Sequence, residues 1–468
     1  MKIKFKIEKV IILLGLTVLV PTLILSFFNH PAGDDIRFAI AINQFGFLGS
    51  FKFWHENWTI GMFSLFLMNI INPASFEWWI GYKIVPVIFI LLFLFSLFHF
   101  IKTATRNIIS VYEQWALVLS FVFIYLYNLP GPESGFYWVT YLALYQSGNI
   151  LTLLLLAILI KNINNKEPKK IYYFSIASIL LFLSQLNTTN TAFTFVTLVF
   201  FAILKMIYDK KISKYFLILL AIITASTLFF LLSPGLNVRV DGHPDMKRDI
   251  GPFVRLLYAV WFSIRMIVVF CIKRSPLLIL FTIILLPVYN NILSEKNKMS
   301  SLHQIIINPF IAFVIMIASP MLYAIPSSWV GQGRPALWIQ NISYFYFLLG
   351  WMYLLLCITD YVRKKYIIPE YNLNWLRWLC VIFVIGSVAL PNNIRATTGD
   401  ILLGRAARFD SLLVKRSLDL KECAMDTCFV DSLYKKDNPA SLYLEGQWAG
   451  NYGAYSRFFN KKKIMIKK

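Results

Sequence analysis

The sequence predicts an all-α polytopic membrane protein of about eleven transmembrane helices, with a small C-terminal α/β region. The first observation is composition: 58% of the 468 residues are hydrophobic and the mean hydropathy is +0.65, more apolar surface than one water-soluble core can bury. The second is that apolar runs recur at the length needed to cross a hydrocarbon layer of about 30 Å, roughly 20 helical residues. The third is charge placement. The formal net charge of +22 would suggest nucleic acid in a soluble chain, but much of the Lys and Arg lies in short loops between apolar runs. That is the positive-inside pattern, and it excludes a nucleic-acid patch.

The first run, 10–28, follows Lys2, Lys4, Lys6 and Lys9, which hold its start in the cytoplasm. It is longer than a signal-peptide core and lacks a small-residue cleavage signature, so a retained signal anchor is expected. Further spans are read at 80–101, 114–129, 140–161, 171–187, 191–208 and 214–232. Basic loops containing Lys102 and Arg106, then Lys161, Lys166, Lys169 and Lys170, then Lys205, Lys210, Lys211 and Lys214, all fall on the cytoplasmic side of that count. The intervening loops 130–148 and 186–190 hold no Lys or Arg.

Segment 252–274 is apolar but carries Arg255 and Arg265, and a central Arg costs about 2.5–3.5 kcal/mol on insertion scales, so it is read as lying against the outer surface. Spans at 275–293, 305–325 and 338–359 then leave Arg363, Lys364 and Lys365 inside, and a last span at 375–390 exports the C-terminus. The chain thus divides into a membrane domain, 1–391, with a long first outer loop, 29–79, and a polar region, 392–468. In the latter, Leu402, Leu403, Ala406, Phe409, Leu412 and Leu413 have helical spacing, and 428–433, 441–444 and 463–466 are β-like. Cys271, Cys357 and Cys380 lie in or beside apolar runs and are expected to pack. Cys423 and Cys428 are spaced either to pair in an oxidising compartment or to remain two thiols.

No Gly-x4-Gly-Lys-Ser/Thr, His-Glu-x-x-His or Gly-x-Ser-x-Gly run occurs, so the usual signatures of nucleotide hydrolysis, zinc proteolysis and serine hydrolysis are missing. Polar candidates gather in the outer loops instead. Asp34 and Asp35 stand just beyond the first span, and loop one adds His55 and Glu56 among aromatics that suit interfacial segments. A fixed carboxylate there is a candidate general base for a sugar hydroxyl, with a divalent cation such as Mg or Mn as an optional partner of the Asp pair. The alternative is an N-cap for the helix-like stretch 36–44; one Asp suffices for a cap, and two favour chemistry. Arg239, after the turn Ser233-Pro234-Gly235, and Arg334, in Gly331-Gln332-Gly333-Arg334-Pro335, share a side and could fork onto one anionic headgroup or simply snorkel to lipid. Glu133, Tyr137 and Trp138 offer either a sugar-stacking wall or interfacial anchors.

Taken together, Pro31-Ala32-Gly33-Asp34-Asp35, the stretch 133–138, the turn leading to Arg239 and the polar tail resemble the GT-C superfamily of membrane glycosyltransferases, in a largely uncharacterised bacterial branch. The resemblance implies an inverting transfer of sugar from a polyprenyl-phosphate donor to an envelope glycan, lipid or protein acceptor. It also implies an acidic residue of loop one as base, and a multi-pass cytoplasmic-membrane location with the N-terminus inside and the C-terminus outside. It leads one to expect a further Arg after the loop-one Trp, where this chain reads Asn57-Trp58-Thr59-Ile60-Gly61. The expected partners are membrane lipids, donor and acceptor, with no nucleic acid. Two other classes remain open: a lipid-carrier flippase or transporter, which would place ionisable groups and broken helices at the bilayer midplane, and a non-catalytic envelope-assembly protein.

Overall fold

Long apolar helices dominate the computed structural model, which describes residues 6–58, 61–105, 108–163, 251–293, 305–331, 333–365, 374–431, 439–442 and 452–466, with scattered positions between 164 and 250. The spans read at 171–187, 191–208 and 214–232 therefore lie largely outside the described residues. The membrane part comprises α1 (Ile7–Ser26), α2 (Asp35–Asn57), α3 (Met62–Ile71), α4 (Gly81–Thr105), α5 (Val111–Asn128) and the single turn α6 (Pro132–Phe136). It continues with α7 (Val139–Lys161, wound as a π-helix over Leu142–Gln146), α8 (Pro252–Lys273), α9 (Ser275–Ile292), α10 (Pro309–Gly331), α11 (Leu337–Lys365) and α12 (Asn374–Val388). The polar region holds α13 (Asn393–Leu402), α14 (Arg405–Glu422), β1 (Thr427–Val430), α15 (Tyr452–Phe458) and β2 (Lys463–Ile466).

Among the described residues seven helices are long and apolar enough to cross a membrane, or eight if α12 and α13, bent by 51° at their junction, count as one broken span. The protein is a multi-pass, mainly helical membrane protein. Helix α5 is not among the seven, because its first turn carries Glu113 and Gln114, yet it is enclosed by its neighbours over most of its length. Close approach of α1 and α5 depends on Gly15, where a Cβ would stand 2.4 Å from that of Leu119.

Polar contacts at the helix ends fall into two layers. At one end Arg377, at the start of α12, reaches Glu8 of α1 at 3.2 Å. Glu113 of α5 accepts from Asn291 of α9, Arg363 of α11 donates to the Asn290 carbonyl, and Gln114 meets Thr105 at the end of α4. This is the basic end, where Lys102 and Arg363–Lys365 also lie. At the other end, the aspartate end, Tyr127 of α5 donates to the Ser387 carbonyl of α12, Asn341 of α11 meets Gly131, and Lys83 of α4 meets Asp410 of α14. The described helices α1, α4, α5, α7, α9, α11 and α12 thus run in the alternating directions that the basic loops predict.

Helix α8 lies along α10 and ends at the aspartate end, where α9 begins. It was expected to lie on the surface because of Arg255 and Arg265, yet its 22 residues are apolar enough to cross, and most of its large side chains are exposed. Helices α2, which kinks at Gly46, and α3 form the first loop as short segments packed on the bundle. In the polar region β1 and β2 pair in parallel, Thr427 opposite Lys463, and Cys423 and Cys428 are joined by a disulfide. Ser441 and Leu442, expected in a third strand, form a bend. A separate apolar cluster of Leu25, Tyr137, Ala406, Phe409, Leu413 and Leu442 docks α14 onto the aspartate end.

Candidate functional site

The turn that carries the aspartates is fixed by its own sequence. Gly33 adopts φ +52°, which L side chains rarely hold, and packs against the Trp138 ring, which a Cβ on Gly33 would approach to 3.3 Å. Asp35, fully buried at the start of α2, accepts from the amide of Ala32 at 3.0 Å and from both the amide and hydroxyl of Thr140, at 2.8 and 2.6 Å. Burial pushes the Asp35 carboxyl up to about 7, against the lowering effect of these hydrogen bonds. Asp35 is therefore a tie between loop one and the start of α7, and its backbone carbonyl is held in turn by Asn72.

Asp34 is different. It occupies the N-cap position of α2 without making a side-chain cap bond, so the capping alternative is not realised by its carboxylate. Its side chain is 43% exposed and meets the Arg37 guanidinium at 3.2 Å. Of the two carboxylates, Asp34 is the exposed one and Asp35 the buried one.

Neighbouring asparagines complete the frame. Asn29 donates to the carbonyls of Tyr82 and Tyr137, at 3.0 and 2.6 Å. Asn341 grips Gly131 through both its amide and carbonyl, at 2.9 and 2.7 Å, fixing α6 to the start of α11. Tyr137 is buried with its hydroxyl donating to the Thr22 carbonyl, and Trp138 is buried edge-on to Trp338 with centroids 5.6 Å apart. Both rings belong to the interior and not to an exposed stacking wall. Glu133, half-buried on α6, has its carboxyl pushed up by burial.

Arg334 is exposed in the loop before α11, three residues ahead of that helix and four before Trp338. The contacts from Gly33 to Trp138 to Trp338 thus bring the Asp34 turn and the Arg334 loop together at one end of the bundle. Arg239 lies outside the described residues. His55 is half-buried near the end of α2, and Glu56, exposed, lies 3.9 Å from Lys52, so this pair sits more than five helical turns along the chain from Asp34. The donor set does not fit a metal held by the Asp pair: the Asp35 oxygens are taken up by three protein donors, and among the described residues no group of three His, Cys, Asp or Glu converges.

Sequence reasoning passed over Thr140, Asn29, Asn72, Asn341 and Arg274. Asn341 had a readable signal, an amide inside the apolar run of α11, where a polar group must find a partner. Thr140 had none, because its role exists only through contact with Asp35, 105 residues away.

One further contact joins the polar region to this end: the Asp410 carboxylate of α14 meets both His30 and Lys83 at 2.7 Å. No known protein family, curated protein or solved structure matches the chain. The fold and its two layers of helix ends define a multi-pass helical membrane protein with a polar, carboxylate-bearing site at one end.

Proposed function

We propose that the protein is a glycosyltransferase that moves a sugar from a polyprenyl-phosphate donor to an envelope glycan, lipid or protein acceptor at the aspartate end. The observation that carries this reading is an exposed carboxylate, Asp34, on a turn made rigid by Asp35 and Thr140, next to the loop bearing Arg334. In the reaction, Asp34 takes the proton of the acceptor hydroxyl as its oxygen attacks the anomeric carbon. The carbon–oxygen bond to phosphate breaks on the opposite face, with inversion, and the electron pair leaves on the prenyl phosphate. Arg334 neutralises that departing charge.

The Cys423–Cys428 disulfide sits in the region docked at the aspartate end and argues for an oxidising compartment there, with the basic end cytoplasmic as in a bacterial inner membrane. The test is transfer from polyprenyl-phosphate sugars by the purified protein. Asp34→Asn should lower turnover about a hundredfold, the usual contribution of a general base. Full activity in that variant removes Asp34 from the chemistry.

A further inference from the structure

At the junction of α8 and α9, Arg274 is held with its guanidinium over the ring of Tyr344, 4.9 Å from the centroid, and over that of Phe270, at 5.3 Å. Its Nη1 is buried and has no hydrogen-bond partner. Among the described residues it makes no ion pair, whereas the partly buried Arg377 at the basic end has both Glu8 and a backbone carbonyl. A buried guanidinium nitrogen without an acceptor is costly, and such a group in a folded protein calls for a ligand. Burial works against the Arg274 cation, Tyr344 favours it, and the charge of Arg334 opposes it. Arg334, three residues ahead of α11, stands at the same end of that helix as Tyr344, on which Arg274 packs, and it too makes no ion pair among the described residues. Two neighbouring arginines with no carboxylate partner among the described residues, one of them held in orientation by two rings, make a positively charged pair that suits a tetrahedral oxyanion. The location narrows the ligand further. Arg274 separates two helices apolar enough to cross a membrane, and Tyr344 packs on Tyr125 near the end of α5, so the site stands at the depth of lipid headgroups.

We propose that Arg274 and Arg334 form one binding site for the phosphate of a phosphorylated lipid. Arg274 is the pre-oriented fork with a buried nitrogen, and Arg334 is the exposed cation that meets the phosphate from the other side. The site deepens the donor half of the proposed function, and rests on that reading only for the isoprenoid nature of the tail.

Binding to the full chain in detergent micelles tests it without requiring transfer. The probes are undecaprenyl phosphate, neutral undecaprenol, dioleoyl phosphatidate and inorganic phosphate. The parent should bind undecaprenyl phosphate at least tenfold more tightly than undecaprenol. Arg274→Gln and Arg334→Gln should each erase most of that preference, and Arg274→Lys should restore it only in part, since an ammonium keeps the charge and loses the fork. Should Arg274→Gln fail to fold, the exposed Arg334→Gln together with Arg274→Lys carries the test. Unchanged preference in these variants overturns the site, as does equal binding of phosphate and alcohol by the parent. Competition by inorganic phosphate as strong as that by either lipid overturns the lipid assignment. Equal binding of phosphatidate supports the site and removes the isoprenoid specificity. Phosphate-selective binding with no sugar transfer leaves this site standing while the transferase reading fails.

Discussion

Asp34 and Asp35 are adjacent in sequence and opposite in physical situation. Removing the Asp35 carboxylate strands three buried donors, the Ala32 amide and the amide and hydroxyl of Thr140, so Asp35→Ala should cost about 3 kcal/mol, read as a lower unfolding midpoint in micelles. Asp34→Asn, at an exposed ion pair, should move stability by no more than about 0.5 kcal/mol while lowering turnover about a hundredfold. The pH dependence of Asp35 has a definite sign. Its folded value, about 7, lies above the ordinary 3.8, so the folded state holds the proton more tightly. Its favourable contribution is complete below 3.8 and is lost as pH rises through about 7. The unfolding midpoint of the parent should carry a falling component across that window, which Asp35→Asn removes. The pair of aspartates was legible in the sequence as a candidate site. Which of the two is accessible was not, because that depends on where Thr140 lies.

The element that most needs explaining is α14, a polar amphipathic helix held on a membrane bundle. Its apolar residues Ala406, Phe409 and Leu413 face Leu25 and Tyr137, and Asp410 between them takes His30 and Lys83. Burial raises the Asp410 carboxyl, but the hydrogen bonds and charges of His30 and Lys83 outweigh it and hold the group below its ordinary value of 3.8. A carboxylate depressed in the folded state contributes stability that is complete above that ordinary value and is lost as pH falls through the folded one. Amide exchange in α14 should therefore quicken in acid, and Asp410→Asn should show at neutral pH the fast exchange that the parent shows only in acid. Reduction of Cys423–Cys428, which closes a short loop with sequence separation 5, should cost the polar region about 2 kcal/mol and loosen β1. The helical spacing of 402–413 and the strands at 428 and 463 were readable from side-chain pattern. Their parallel pairing joins segments more than thirty residues apart and had no local signal.

Parity of crossing governs the whole molecule. Helix α7 ends at the basic end and α9 starts at the aspartate end, so the chain from 164 to 274 must cross an odd number of times. Three spans between 171 and 232 with α8 on the surface satisfy that condition, as do an even number of earlier crossings with α8 inserted. A single cysteine placed at Asp245 distinguishes them. We expect it to react from the side of Lys102, since α8 lies along α10 and ends at the aspartate end, so that it begins at the basic end. Labelling from the side of Asn393 would instead leave α8 on the surface and put an odd number of crossings in the stretch before it.

By itself the sequence determined that this is a multi-pass helical protein, where most of its spans begin and end, and which way successive helices run. Those properties follow from local apolar length and from Lys and Arg placement, and each needs only a window of about 20 residues. Tertiary structure decided which chemistry-bearing groups meet. Burial of Asp35 against Thr140 and the Trp138 to Trp338 contact both join segments distant in the chain. Arg274, without an ion pair among the described residues, is the clearest case. A sequence lists the arginine, but only packing shows that among the described residues its neighbours are two rings and no carboxylate.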